Sequence, residues 1–449
     1  MQKILILGAG RSASSLISYL LKKAASSNWK VTIAEKQIES IDIATKQNEY
    51  CTLVSFDVSD DSLLTDLVST HDIVVSMLPA RFHFLVAKKC ADIGRHFLTA
   101  SYLTEEIKAL NRDFQRHEKI ALMEMGLDPG IDHMSAMRVL DRLKAKGNKL
   151  AGFETFTGGL ISEESVKDNP WKNKFTSNQR NVVLAGQGTC KYIQEGRYKY
   201  IPYQKLFKRT EMIYIPGHGY FEGYANRDSL AYLDVYDLNK IGTLYRGTLR
   251  RPGYCAAWDV FVQLGATEDT YEMEGVKEMT HRQFLNSFLS YNPHDSVELK
   301  LAHYMNLAID SEVMFKVKWL GLFEDEPIGL EHGTPAQILE HILKKKWSLD
   351  PEDKDMIVMW HKFNYLENGQ PRELESSMVA LGEDQVNTAM SKTVGLPLAI
   401  ATELILQDQI ILNGIQLPIS KHIYEPVLKR LENTGITFKE RLVTDVTTE

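Results

Sequence analysis

Residues 3–13 read KILILGAGRSA, and no other stretch of the 449-residue chain limits its fold so tightly. Four apolar residues, 4–7, run into Gly8-Ala9-Gly10, and Ala13 completes a GxGxxA spacing. Leu16, Ile17, Leu20 and Leu21 then recur at helical spacing. Strand, glycine turn and helix, in that order, form the context in which this spacing signals dinucleotide binding. Gly8 permits the tight turn, Gly10 admits a pyrophosphate close to the backbone, and Ala13 lets the helix approach the sheet. Free N–H groups at the helix start face the phosphate charge. An ordinary strand-to-helix turn also uses glycines; the flanking pattern favours the nucleotide.

The first 125 residues keep this alternation. Strands are expected at 31–35, 52–56, 72–77, 96–99 and 120–125, with helical segments of about 10 to 15 residues separating most of them. The predicted fold class is α/β, a Rossmann-type doubly wound parallel sheet. Ligands of such sheets bind beyond the carboxyl ends of the strands. That rule places residues 8–13, Glu35-Lys36, Met77-Leu78-Pro79, Ala100-Ser101-Tyr102 and residues 126–130 along one rim. Beyond Gly130 the chain is rich in Gly, Tyr and Thr with short apolar runs, which suggests a mixed sheet. Residues 274–346 read as helices, and 355–366 as strand again. The expected organisation is a dinucleotide domain over 1–128, on which a helix from about residue 387 packs. A second α/β domain for substrate binding and dimerisation covers 129–272 and 347–449, with a helical insertion at 273–346.

Composition narrows the partners. A chain this long can bury two or three cores, and 44% hydrophobic with 25% charged residues describe a soluble globular protein. A net charge of −7 argues against nucleic acid or an anionic membrane as partner. Cys51, Cys90, Cys190 and Cys255 form no CxxC pair, which suggests a reducing compartment without a disulfide framework or structural zinc. No grouping has metal-ligand spacing, so no metal is expected. The amino terminus enters a strand directly, without a signal peptide. The apolar stretch 395–406 contains Pro397 and Glu403 and falls short of the about 20 residues that cross a bilayer. The expected location is cytoplasmic.

Glu35, at the end of the second strand, is placed to accept both ribose hydroxyls of NAD and to repel a 2′-phosphate. Lys36 beside it could attract that phosphate. NAD is favoured and NADP stays open. In GLDPGIDH (126–133), Asp128-Pro129-Gly130 is turn chemistry, yet its place on the rim makes Asp128 a candidate for binding an ammonium or moving a proton. Arg227 in NRDS, and Arg246, Arg250 and Arg251 in RGTLRRPG, suggest a substrate with carboxylates, because guanidinium forks match them bidentately. His133 and His218 read as structural.

Taken together, GAGRSA, SMLPARFH, TASYLT, GLDPGIDH, DNPWKNKF, YANRDS, RGTLRRPGY, EDKDMIVMWHKF and TVGLPLAIA resemble the L-glutamate-forming saccharopine dehydrogenases, or saccharopine reductases, over nearly the whole chain. The resemblance implies NAD(P)-dependent oxidative cleavage of saccharopine, or the reverse condensation, in lysine metabolism. It implies that Ala100, Ser101, Asp128, Arg227, Thr248, Leu249 and Arg250 hold the substrate. Gly8, Gly10, Arg11, Ser12, Ala13, Glu35, Lys36, Leu78, Pro79, Leu127, Pro129 and Phe175 would then meet the cofactor. Asp128 and Tyr102 are the candidates for proton handling, and a homodimer is implied. Thr157-Gly158-Gly159 stands where relatives often carry Cys-Gly-Gly, Ser177 replaces an aromatic residue, and Arg251 adds a charge. Alternative readings are a carboxyspermidine-type dehydrogenase and a catalytically silent dinucleotide sensor or scaffold. Retention of Asp128, Arg227 and Arg250 argues against the silent form.

Overall fold

The computed structural model describes residues 1–443. Six strands open the chain: β1 (Gln2–Leu7), β2 (Trp29–Glu35), β3 (Cys51–Ser55), β4 (Ile73–Ser76), β5 (His96–Thr99) and β6 (Ile120–Leu122). A second set follows: β7 (Lys149–Ile161), β8 (Thr189–Gln194), β9 (Arg197–Pro202), β10 (Thr210–Ile215), β11 (Gly219–Ala225), β12 (Thr243–Arg250), β13 (Asp355–Glu367) and β14 (Gln370–Leu381). The chain then returns to the first sheet with β15 (Gly414–Gln416), and β16 (Lys439–Val443) pairs with β14.

The first sheet runs β15-β6-β5-β4-β1-β2-β3, and its pairings are all parallel. Ile4 to Leu7 and Ile73 to Val75 are fully buried, as central strands of a sheet covered on both faces must be. The strand order reverses between β1 and β4, which is where doubly wound sheets take their ligands. β6 stops short of the expected residue 125 because Glu124 turns to φ 56°, although Met125 still donates its N–H to the Thr99 carbonyl at 3.0 Å. β15 was not anticipated; three residues with no alternating pattern give no sequence signal.

Two compact units emerge. One comprises residues 1–149 with 378–439, the other 150–377 with the described residues from 440. The boundaries thus differ from those expected: the helix Ile131–Ala145 and the segment 378–439 group with the parallel sheet. Packing explains it. Helix Ala389–Leu406 lies on helix Ser14–Ser27, where Ser15 and Ser391 hydroxyls meet at 2.8 Å. Tyr19, Arg430 and Lys23 converge on the buried carboxylate of Glu403, at 2.5, 2.8 and 3.4 Å. Helix Lys421–Glu432 packs on Ile131–Ala145, fastened by Tyr424 donating to Asp141 at 2.7 Å. Helix Ala389–Leu406 is apolar almost all round because it is buried almost all round.

In the second unit the mixed sheet runs β10-β11-β12-β7-β13-β14-β16, and the β8–β9 hairpin joins it through β12. β12 is parallel to β7 and antiparallel to β11. β13 and β14 turn over Asn368-Gly369, both at positive φ, as a two-residue hairpin requires. The helices expected at 274–346 belong to this unit, with capping boxes at Thr280 and Thr334. Their core is aromatic: the Trp171 ring meets Trp347, Tyr254 and Phe261 at centroid distances of 5.3, 5.8 and 6.0 Å.

Candidate functional site

The glycine turn of the first unit is built as its sequence predicts. Gly8 sits at φ 92°, and a Cβ there would stand 3.1 Å from the Met77 carbonyl oxygen. At Gly10 a Cβ would meet nothing within 4 Å, so space is left against the backbone. One 3-10 turn, Arg11–Ala13, leads into helix Ser14–Ser27, and Ala13 is fully buried. Ser12 is half-buried and Arg11 exposed. The helix start, its free amides and the open space fit a pyrophosphate. A cavity of about 640 Å³ opens beside the turn, lined by Gly10, Arg11, Ser14, Ile41, Asn48 and Asn387 among others.

Glu35 closes the turn from the side. Its carboxylate accepts from the Ala9 N–H at 2.7 Å and the Gln37 N–H at 3.1 Å. The negative charge therefore stays fixed beside the turn. Lys36 pairs with Asp57 at 2.7 Å on the surface, an interaction that raises the lysine pKa and lowers that of the aspartate. Its charge is already engaged there.

Three further segments form the rim. Leu78 is half-buried and Pro79 exposed just after β4. Ala100 and Ser101 follow β5 and are half-buried, while Tyr102 is exposed. Residues 124–133 fold into a tight loop. Gly126 N–H donates to the Pro129 carbonyl and Ile131 N–H to that of Gly126. Gly130 sits at φ 146°, where any Cβ would overlap the Gly126 carbonyl. Asp132, rather than Asp128, caps this loop, accepting from Gly130 N–H at 2.6 Å. Asp128 remains half-buried, and Leu127 and Pro129 are buried. Glu124 holds the rim together: its N–H donates to the Ser101 carbonyl, and its carboxylate accepts from Leu103 N–H at 2.9 Å and meets His133 at 2.8 Å. His133 is structural, and Glu124 was not foreseen.

The second unit carries the arginines. Along β12, Arg246, Thr248 and Arg250 alternate onto one face of the sheet. Leu249 alternates to the opposite face, where its side chain lies against Gly158. Arg250 is 7% exposed. One of its terminal nitrogens donates to the Gly159 carbonyl at 3.2 Å, and its guanidinium lies 5.3 Å from the Tyr254 ring centroid. Its Nε has no partner, and no carboxylate pairs with it among the described residues. Burial pushes the Tyr254 phenol far above its usual pKa, so that neighbour supplies no negative charge. Arg246 stacks on Tyr232 at 3.9 Å. Asn226 N–H donates to the Arg246 carbonyl, which brings the NRDS turn alongside, and Arg227 stands exposed at φ 52°. Thr157 of β7 pairs with Thr248 in register, and His361 meets Thr155 at 2.9 Å. Arg251 departs from the group: buried, it pairs with Glu163 at 2.6 Å and covers the Phe221 ring at 4.9 Å. Phe175 is 1% exposed, its N–H donates to the Trp347 carbonyl and its ring packs on Trp347 at 5.4 Å, so its side chain belongs to the aromatic core.

Comparison with known proteins covers nearly the whole chain. A family model described as the saccharopine dehydrogenase NADP binding domain matches residues 4–122, and one described as the saccharopine dehydrogenase C-terminal domain matches 126–436. The mitochondrial alpha-aminoadipic semialdehyde synthase of Rattus norvegicus is 32% identical over 97% of this chain; the chain spans about half, 47%, of that relative's length. The NADP(+)-dependent, L-glutamate-forming saccharopine dehydrogenase of Saccharomyces cerevisiae is 30% identical over 98% of the chain and 99% of its own. A solved apo structure of the L-Glu-forming saccharopine dehydrogenase from Saccharomyces cerevisiae superposes with a TM-score of 0.89 at 28% identity, covering 99% of this chain and 100% of that one. The nucleotide in these descriptions is NADP, and the expectation of NAD draws no support from them.

Proposed function

The chain belongs to the saccharopine dehydrogenase family, and from that premise we propose that it oxidises saccharopine with water to 2-aminoadipate 6-semialdehyde and L-glutamate, or runs the reverse condensation, in lysine metabolism. The observation that carries this reading is Arg250, a buried guanidinium with no carboxylate partner among the described residues. A desolvated charge of that kind is costly unless an anion completes it, and saccharopine brings three carboxylates.

A pyridine dinucleotide, when bound, supplies the acceptor for the hydride that leaves the ε-carbon of the lysine half. Gly8, Gly10, Ser12 and Ala13 would hold its pyrophosphate, with Leu78, Leu127 and Pro129 beside it. Glu35 disfavours a 2′-phosphate by charge, so we place the choice between NAD and NADP on this residue. Arg250, Arg227 and Thr248 of the second unit, and Ser101 of the first, are the groups suited to binding carboxylates. The secondary amine must lose its proton before its lone pair can expel hydride. Asp128 accepts that proton, with Tyr102 as the alternative acceptor once ionised. Water adds to the resulting imine, and collapse of the adduct breaks the carbon–nitrogen bond, leaving the semialdehyde and glutamate.

Purified protein mixed with saccharopine and either nucleotide should show saccharopine-dependent reduction, read from the absorbance of the reduced cofactor. Absence of reduction with both nucleotides overturns the proposal.

A further inference from the structure

Buried behind the rim of the first unit, the His83 ring joins the end of β4 to the segment after β5. Its Nδ1 lies 3.0 Å from the Ser76 hydroxyl, and its Nε2 lies 2.7 Å from the Ser101 hydroxyl and 3.4 Å from that of Thr99. Ser76 and Thr99 are 1% exposed and His83 is 3% exposed, so bulk solvent does not reach them.

We propose that His83 holds the Ser101 hydroxyl as a hydrogen-bond donor towards the rim, so that this position presents its proton to a substrate carboxylate. The inference rests on the reading of Ser101 as a substrate contact. It follows from counting protons. Thr99 spends its single hydroxyl proton on the Ser76 carbonyl, 3.0 Å away, so towards Nε2 it offers only a lone pair. A proton on Nε2 suits that lone pair, whereas a bare Nε2 would face it. Ser76 supports the same assignment, because among the described residues its hydroxyl meets no acceptor except Nδ1. Were Nδ1 protonated instead, Ser76 would keep a buried donor with nothing to receive it. With Nε2–H pointing at Ser101, the serine oxygen accepts, and its own proton is left for an incoming oxygen. Burial lowers the His83 pKa to about 4, so the ring stays neutral across the working pH range and the direction does not reverse. His83 touches neither substrate nor cofactor; it is a positioning residue.

Two measurements test this on the full-length protein. Ring nitrogen–proton correlation spectra of histidine-labelled protein should place the His83 proton on Nε2, unchanged between about pH 5.5 and 9, with the signal assigned by its loss in His83→Gln. Ser101→Ala and His83→Leu should each raise the KM for saccharopine about tenfold, the worth of one bond to a carboxylate, with kcat within about twofold and nucleotide KM unchanged. His83→Gln, which presents an N–H where Nε2–H stood, should restore most of the affinity. A proton on Nδ1, or an unchanged saccharopine KM in Ser101→Ala, overturns the inference, and Ser101→Ala is informative even if His83→Leu folds poorly. If the wild-type protein does not turn over saccharopine, the functional reading fails by itself, and the ring-proton spectrum still decides which way Ser101 points.

Discussion

A guanidinium packed against a tyrosine ring and main-chain carbonyls keeps its charge at a cost, and Arg250 does so without a carboxylate partner among the described residues. Replacing it with Ala should raise the KM for saccharopine by about tenfold to a hundredfold while kcat changes little, since bonds to charged groups are worth about 1.5 to 3 kcal/mol. Arg227→Ala should act in the same direction, and unchanged KM in both variants would refute the pocket. Glu35→Ser should raise the preference for NADP over NAD by about tenfold, as expected from removing one repulsive charge; kcat/KM for the two nucleotides measures it. Gly130→Ala should lower stability by about 3 kcal/mol, because φ 146° admits no side chain there, and a thermal melt reports it. Residues with a local signature were readable in the sequence: Gly8, Gly10 and Ala13 announce their roles by spacing. Glu124 and His83 were not readable, since their partners lie elsewhere along the chain and a satisfied polar residue leaves no pattern. Phe175 shows a different limit. A motif gave its place in the chain, and only packing revealed that its ring is interior.

Among elements, the helices Ser14–Ser27, Ala389–Leu406 and the one at Lys421–Glu432 share a single buried acid. Glu403 receives the Tyr19 hydroxyl and the charges of Lys23 and Arg430. Glu403→Ala should destabilise the protein by about 3 kcal/mol, because removing one partner strands the cations it neutralised; denaturant unfolding followed by circular dichroism measures the loss. Glu403→Gln, which still accepts from Tyr19, should cost less. The βα alternation was legible because each strand and helix carries its own periodicity. β15 was hidden for a different reason: Gly414–Gln416 becomes a strand only because β6 offers it an edge.

For the whole molecule, pH acts through the sheet of the second unit. Burial, with the charge of Glu154 next, lifts Glu211 to about 7, against the opposing pull of Lys362 and the Tyr245 hydroxyl. Lys362 is itself committed to Glu154 at 2.8 Å. The folded chain therefore keeps a proton that the unfolded chain releases near 4.5. The stability this proton contributes is complete below that value and is lost as pH rises through about 7. Melting temperature should fall over that interval, and Glu211→Gln should remove this part of the slope. A mutant that keeps the full slope would show that another group titrates.

The route of the chain through its two units has a consequence for synthesis. The parallel sheet begins at residue 2, yet its edge strand and two covering helices come after residue 388. At about 5 to 20 residues per second on a ribosome, roughly a quarter of a minute to a minute separates the first half of that unit from its completion. During that time the nascent face awaiting Ala389–Leu406 is uncovered apolar surface. Such a protein should depend on holding chaperones for its yield more than its finished stability would suggest.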